Sequence, residues 1–132
     1  DVLAHNLETV ESLQSRLRPQ CRYTWSLDTL RTAAAKKNLI VKSSLMLGLG
    51  EKEEEVVRSM KDLVSVGCQI LSLGQYLRPS PRHLEVVEFI HPDKFSEYKE
   101  IGESLGLEHV EAGPLVRSSY LADQQAQAVG LG

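Results

Sequence analysis

The side chains with the clearest chemical potential occur in four short polar segments. These segments are His5-Asn6, Gly48-Leu49-Gly50-Glu51, Gly74-Gln75-Tyr76-Leu77 and Arg117-Ser118-Ser119-Tyr120. The last segment follows a Gly-Pro turn and places a cation, two adjacent hydroxyls and a phenol at consecutive positions. Packing requirements alone do not explain this order, so we interpret the segment as a candidate ligand-binding loop.

The predicted strand-to-helix turn at 48–51 has two interpretations. Gly48 and Gly50 allow the backbone to approach a ligand closely, and the amides that open the following helix can hold an anion. Alternatively, the segment is an ordinary turn in which Glu51 interacts favourably with the helix dipole. It is neither a dinucleotide-binding fingerprint nor a P-loop, because no third glycine and no Gly-Lys-Ser/Thr follows.

The other candidate side chains also have structural alternatives. Asn6 either contacts a ligand from a strand end or caps a helix. Gln75 and Tyr76 either contribute an amide and a phenol to a site or pack at a sheet edge. Arg78 and Arg82 lie in a basic loop, which either is simply solvated or docks an anionic partner. The residue types alone leave these alternatives open.

Composition restricts the class of protein. The chain has 132 residues, of which 42% are hydrophobic and 25% charged, and its formal net charge is −3. These values are typical of one globular domain and predict neither a nucleic-acid nor a membrane partner. Cys21 and Cys68 form no Cys-x-x-Cys motif, so we do not expect this chain alone to build a zinc or cluster site. No Ser/His/Asp or Cys/His spacing indicates a hydrolase.

Short apolar runs alternate with amphipathic segments along the chain. Strands are predicted at 2–4, 39–49, 69–77 and 108–112, with a short extended piece at 86–90. Helices are predicted at 7–17, 26–37, 51–66 and 92–105. The nearly continuous apolar run at 39–49 is typical of a strand buried on both faces. This alternation predicts a parallel sheet of βαβ units, either open or part of a barrel.

The candidate segments share one position relative to the predicted strands. In parallel α/β folds, binding sites lie outside the carboxyl ends of the strands. All four polar segments follow predicted strands, so we expect them to contribute to a common site. Because the chain lacks an initial Met and opens on strand-like Val2-Leu3-Ala4, we also expect it to begin within a domain.

Four stretches in order resemble the C-terminal half of the lipoyl synthases, a family of radical S-adenosylmethionine (SAM) enzymes. They read His-Asn-Leu-Glu-Thr-Val at 5–10, Lys-Ser-Ser-Leu-Met-Leu-Gly-Leu-Gly-Glu at 42–51, Leu-Gly-Gln-Tyr-Leu at 73–77 and Gly-Pro-Leu-Val-Arg-Ser-Ser-Tyr at 113–120. The resemblance implies an α/β fold, the C-terminal part of a partial (β/α)6 radical-SAM, TIM-like barrel with parallel strands. This portion, with the Arg-Ser-Ser-Tyr cluster loop, spans 1–123. The small, polar residues at 124–132 predict a flexible tail.

The resemblance also implies an activity. Lipoyl synthases are sulfurtransferases that insert two sulfur atoms at C6 and C8 of a protein-bound octanoyl group. They use SAM-derived 5′-deoxyadenosyl radicals and two [4Fe–4S] clusters, the auxiliary one being consumed as the sulfur source. The family's cysteine motifs lie upstream of the matched stretches, and neither Cys21 nor Cys68 falls on one. We therefore expect this chain to be inactive by itself.

The resemblance assigns roles to individual residues. Those expected to bind SAM lie at strand ends: Asn6, Ser44, Met46, Gly48, Glu51, Gln75, Tyr76 and Leu77. Ser44 and Met46 depart from the superfamily pattern, which has Gly and Ile at these positions. Ser119 is expected to ligate the auxiliary cluster, with Ser118 the second choice.

The resemblance implies partners and a location as well. The expected partners are an octanoylated lipoyl-carrier protein or domain, docked by Arg78 and Arg82, and an electron donor such as ferredoxin or flavodoxin. The expected location is the cytoplasm, or the mitochondrial matrix in a eukaryote. The alternatives are a catalytically silent barrel fragment that acts as a binding or scaffold domain, or another radical SAM enzyme.

Overall fold

A computed structural model of the chain describes residues 1–116. Within them, four strands alternate with helices along the chain. The strands are β1 (Val2–Ala4), β2 (Ile40–Leu47), β3 (Ile70–Gln75) and β4 (His109–Ala112). The helices are α1 (Gln14–Leu17), preceded by a 3₁₀ turn at Glu11–Leu13, then α2 (Tyr23–Ala34), α3 (Glu53–Ser65) and α4 (Pro92–Leu105).

The four strands form a single parallel sheet in the order β1-β2-β3-β4. Each strand pairs with the next one along the chain, and the connections between them contain the helices. The prediction of a parallel α/β sheet is therefore confirmed. Because all carboxyl ends of a parallel sheet lie at one edge, the residues that follow β1, β2 and β3 converge there.

One face of the sheet carries the hydrophobic core. Alternate residues of β2 and β3, such as Leu45 and Leu73, pack there with the apolar faces of α2, α3 and α4. The helices contribute Leu30, Val56, Met60, Leu63, Phe95 and Tyr98 to the same cluster. Burying each leucine side chain of this kind contributes about 2 kcal/mol, so this face stabilises the fold.

The two longest helices have clear start and stop signals. In α3, the Glu55 carboxylate accepts the Lys52 backbone N–H at 2.8 Å, and the helix is followed by Gly67 with a φ of +91°. In α4, Pro92 occupies the first turn, and the His91 Nδ1 accepts the Asp93 backbone N–H at 3.0 Å. Both helices lie where they were predicted to within two residues.

Three sequence predictions were wrong in detail. No helix runs over 7–17, because residues 5–8 instead hydrogen-bond along the backbone of β2, and helical structure starts only at Glu11. Asn6 therefore caps no helix. The second helix begins at Tyr23 rather than residue 26 and ends at Ala34. Residues 86–90 are not a strand, since they pair with no neighbouring strand and dock as a loop.

Candidate functional site

A cavity of about 220 Å³ opens at the carboxyl edge of the sheet, on the face opposite the hydrophobic core. Five of the eight residues predicted to bind a cofactor line it: Asn6, Ser44, Met46, Gln75 and Leu77. The structure thus brings together residues from the ends of three strands that are far apart in sequence. These residues therefore lie together at the strand ends, and their roles in binding a cofactor stay predictions.

Five further residues, for which no binding role was predicted, also line the cavity. They are Glu8, Leu45, Ser72, Gly74 and Val116. Gly74 is required there, because a Cβ at this position would overlap the backbone carbonyl of Val116. Ser72 and Gly74 alternate with Leu71 and Leu73 in β3, so strand alternation was the signal that could have found them.

Glu8 reaches the cavity through an unusual backbone conformation. Its φ is +72°, a region that costs a non-glycine residue on the order of 1 kcal/mol. The backbone is held there from both sides: Glu8 donates its N–H to the Ser44 carbonyl at 2.9 Å, and Met46 donates to the Glu8 carbonyl at 2.8 Å. This bridge to β2 brings the Glu8 carboxylate beside the Ser44 hydroxyl, which donates to it at 3.4 Å.

Neighbouring side chains hold the rest of the 5–9 loop. The Gln14 amide donates to the carbonyls of Leu7 and Thr9 at 2.6 and 2.8 Å, and the Leu7 N–H donates to the Ser43 hydroxyl at 3.0 Å. The Arg18 guanidinium donates to the carbonyls of Asn6 and Leu7 at 3.3 and 3.2 Å. Together, these contacts fix the loop backbone from which Asn6 and Glu8 face the cavity.

Two basic groups near the cavity have lowered pKa values. The ring of His5 lies 3.1 Å from the Ser26 hydroxyl, and burial together with the positive charge of Arg18 lowers the His5 pKa. Lys42 is buried two residues before Ser44 on β2, and burial lowers its pKa against the opposing effect of Glu111. Among the cavity-lining residues that the structure describes, Glu8 supplies the carboxylate.

The remaining predicted binding residues lie beside the cavity rather than in its lining. The Glu51 carboxylate accepts the backbone N–H groups of Gly48 and Leu49 at 2.9 and 3.0 Å. The amides considered as an anion site are thus already paired with this side chain. The Tyr76 hydroxyl donates to the Leu84 carbonyl at 2.7 Å, so it ties a loop to the strand end.

The two predicted docking arginines differ. The Arg78 guanidinium donates to the carbonyls of His83 and Pro81 at 3.0 and 2.7 Å and lies 3.8 Å from the Glu85 carboxylate. These contacts close the loop on itself. Arg82 is exposed, and within residues 1–116 its side chain forms no ion pair.

Metal ligands are not clustered in the described part of the chain. Residues 1–116 contain no group of three His, Cys, Asp or Glu side chains that could hold a metal ion. Cys21 is exposed, whereas Cys68 is buried, and burial raises the pKa of its thiol to about 12. The predicted cluster ligands Ser118 and Ser119 lie outside the described residues.

None of the helices in residues 1–116 has the length and hydrophobicity needed to span a bilayer.

Comparisons with curated proteins reveal a close relationship. The chain is 52% identical over 124 residues to the lipoyl synthase of Caldanaerobacter subterraneus subsp. tengcongensis, covering 93% of this chain and 44% of that protein. It is 52% identical over 132 residues to the lipoyl synthase of Pelobacter propionicus, covering 99% and 42%. The chain is homologous to the lipoyl synthases. No protein-family model matches it.

The lipoyl synthase relationship extends to plants. Lipoyl synthase 1, chloroplastic, of Zea mays is 53% identical over 126 residues, covering 94% of this chain and 35% of that protein. Its name gives a compartment that our expectation of cytoplasm or mitochondrial matrix did not include. The chain spans about two fifths of the length of these relatives, and their names do not favour the alternatives of a silent scaffold or a different radical enzyme.

The lining of the cavity is chemically suited to SAM, the cofactor that the family implies. The Glu8 carboxylate, the Ser44 hydroxyl and the Asn6 amide can pair with ribose hydroxyls and an ammonium group. Met46 and Leu77 offer apolar contact to a purine ring. The described residues do not suit an iron–sulfur cluster, because neither cysteine lies at the cavity.

Proposed function

We propose that this chain forms the SAM-binding part of a lipoyl synthase that inserts two sulfur atoms into a protein-bound octanoyl group. When bound, SAM supplies the 5′-deoxyadenosyl radical, and the auxiliary cluster supplies the sulfur. The main support is that segments shared with the family surround one cavity at the carboxyl edge of the sheet. A binding site at this edge is the usual arrangement for a parallel α/β fold.

Within this function, the cavity residues bind and orient SAM. The Glu8 carboxylate accepts hydrogen bonds from the ribose hydroxyls or the ammonium group, with Asn6 and Ser44 beside it. Gly48, Glu51 and Tyr76 support the cavity from outside by shaping the turns at the ends of β2 and β3. The Glu8 backbone bridge holds the carboxylate in place before the ligand arrives, so little ordering is required on binding.

The sheet is proposed to be one wall of a partial (β/α)6 barrel. Its hydrophobic core lies on one face, while Ser44, Ser72 and Gly74 on the other face line the cavity. Helices outside the sheet and a binding site at the carboxyl ends of the strands are typical of such barrels. The span 1–123 for this barrel portion and a flexible tail at 124–132 remain predictions.

Ser119 is proposed as the auxiliary-cluster ligand, with Ser118 as the second choice. Iron in such clusters usually binds thiolates, and an oxygen ligand is a poorer match to a soft site. A serine would therefore leave more readily when the cluster gives up its sulfur. Replacing Ser119→Cys in the protein as encoded should slow sulfur insertion, whereas an unchanged rate would contradict a labile serine ligand.

Partners follow from the proposed reaction. The substrate is an octanoylated lipoyl-carrier protein or domain, and reductive cleavage of SAM requires an electron donor such as ferredoxin or flavodoxin. Arg82 is the better candidate for docking an acidic carrier, since Arg78 already holds its own loop. The compartment is proposed to be the cytoplasm or an organelle that contains the carrier.

The proposed function can be tested by reconstitution. The protein as encoded is incubated anaerobically with iron, sulfide, SAM, a reductant and an octanoyl-carrier peptide, and products are analysed by mass spectrometry. Lipoyl peptide together with 5′-deoxyadenosine is expected. Formation of 5′-deoxyadenosine without sulfur insertion would favour another radical enzyme, and SAM binding without cleavage would favour a silent binding domain.

A further inference from the structure

A loop without helix or strand is bound tightly across the carboxyl ends of β2 and β3. We call residues 84–90 the strap. The N–H groups of Val87 and Glu88 both donate to the Gly48 carbonyl, at 2.8 and 3.2 Å. At its start, the Leu84 carbonyl accepts the Tyr76 hydroxyl at 2.7 Å. The strap therefore connects the turn after β2 to the end of β3.

The carboxamide of Gln75 holds the other end of the strap. Its Nε2 donates to the carbonyls of Glu88 and Tyr76, both at 3.0 Å, and its Oε1 accepts the Ile90 N–H at 2.9 Å. Gln75 is only 6% exposed. Both amide hydrogens of Gln75 thus have protein partners, and the carboxamide is occupied in holding the strap. The residue nevertheless also lines the cavity.

Gly48 is shaped to accept this arrangement. Its φ is +101°, and a Cβ there would overlap both the Gln75 Nε2 and the Glu88 carbonyl oxygen. The glycine turn and the strap thus meet around a single carboxamide. A change in the position of that carboxamide must move the turn, the strap or both, because the space between them is already filled.

The strap has little hydrophobic anchoring at its centre. Val87 and Phe89 are 67% and 72% exposed, so their side chains bury little apolar surface. Ile90 packs against the core at the end of the strap, so polar anchors must hold mainly the central residues. Removing one partner of a buried hydrogen bond leaves the other unsatisfied, which costs more than the net value of the bond. Loss of the Gln75 carboxamide would leave the Glu88 carbonyl and the Ile90 N–H in this condition.

We propose that Gln75 is a positioning residue, whose carboxamide locks the strap to the Gly48 turn and thereby fixes the shape of the cavity entrance. This role presupposes that the cavity binds SAM, as proposed above. Gln75 acts from beside the ligand rather than on it. Ligand affinity then depends on the order of the strap, even though the strap residues do not line the cavity.

The test replaces Gln75→Met, which keeps the length of the side chain and removes its hydrogen bonds. In the protein as encoded, amide hydrogen exchange of Val87, Glu88 and Ile90 should accelerate at least about tenfold. The dissociation constant for S-adenosylhomocysteine, measured by calorimetry, should rise about tenfold as well. The matched control Phe89→Ser changes an exposed strap side chain without touching an anchor, and it should leave both quantities unchanged.

Two outcomes would overturn this role, and a third would overturn the proposed function instead. Weaker binding with unchanged strap exchange would make Gln75 a direct ligand contact. Faster exchange with unchanged binding would mean that the strap does not shape the entrance. If the unaltered protein bound no S-adenosylhomocysteine, the proposed function of the cavity would fail, while the exchange measurement would still show whether Gln75 holds the strap.

Discussion

The two faces of the sheet are built from the same strands and serve opposite purposes. On one face, Leu71 and Leu73 of β3 are completely buried against the helices. On the other face, their neighbours Ser72 and Gly74 line the cavity. Because successive strand residues point to opposite faces, each strand contributes alternately to stability and to the site.

This division implies that stability and binding can be changed independently. The apolar face consists of large side chains that fill the core, and loss of any one leaves a cavity. The cavity face consists of small or polar side chains, which leave space and hydrogen-bonding groups for a ligand. Substitutions at adjacent strand positions should therefore differ in their effects on stability and on binding.

The largest expected effect is on the apolar face. Leu73→Ala should lower the free energy of unfolding by about 2–5 kcal/mol, because it removes a fully buried side chain from the core. Ser44→Ala, on the cavity face, should cost less than about 1.5 kcal/mol, since it removes one long hydrogen bond to Glu8. Urea denaturation of the protein as encoded measures both. Equal losses would contradict the division between the faces.

A smaller effect is expected on binding from the cavity face. Glu8→Gln keeps the size of the side chain and removes its charge, so SAM affinity should fall about tenfold while stability stays nearly constant. Glu54→Gln on the exposed first turn of α3 is the charge-matched control and should not alter affinity. If both variants bind SAM equally well, Glu8 does not contact the ligand.

The smallest effect concerns pH. Burial in the folded state lowers the pKa of His5 below its ordinary value of about 6.5, so the unfolded chain takes up a proton first as the pH falls. The free energy of unfolding should therefore decrease as the pH drops through about 6.5, by less than about 1 kcal/mol for this partly buried group. His5→Gln should remove that part of the pH dependence. An identical pH profile for the variant would show that His5 titrates normally.

Much of the fold could be predicted because local and tertiary signals agree. The apolar runs of β2 and β3 and the Pro92 start of α4 each coincide with the observed elements. The prediction of a helix at 7–17 failed because Leu7 and Val10 have helical spacing. In the structure, this segment is instead hydrogen-bonded to β2, and both side chains belong to the core. Such a tertiary override leaves no mark on the local pattern.

The candidate site was predicted where strand ends were the deciding feature. Asn6, Gln75 and Leu77 were indicated by that rule and Ser44 by the family resemblance, and the cavity lining contains all four. Glu8 was missed because its approach depends on a left-handed backbone conformation that its residue type does not favour. Residues 86–90 of the strap were misread as an extended piece, since they are rich in β-branched residues yet pair with no neighbouring strand.

The most direct test of this account is hydrogen exchange of the protein as encoded, with and without SAM. Bound SAM should slow exchange in the segments that line the cavity, at 5–9, 43–46 and 72–77. The pocket beside Tyr23, Glu55 and Arg58 on the helix side should be unaffected and serves as the internal control. Protection confined to the helix side, or none at the strand ends, would contradict the central claim that the polar face of this sheet is the SAM site.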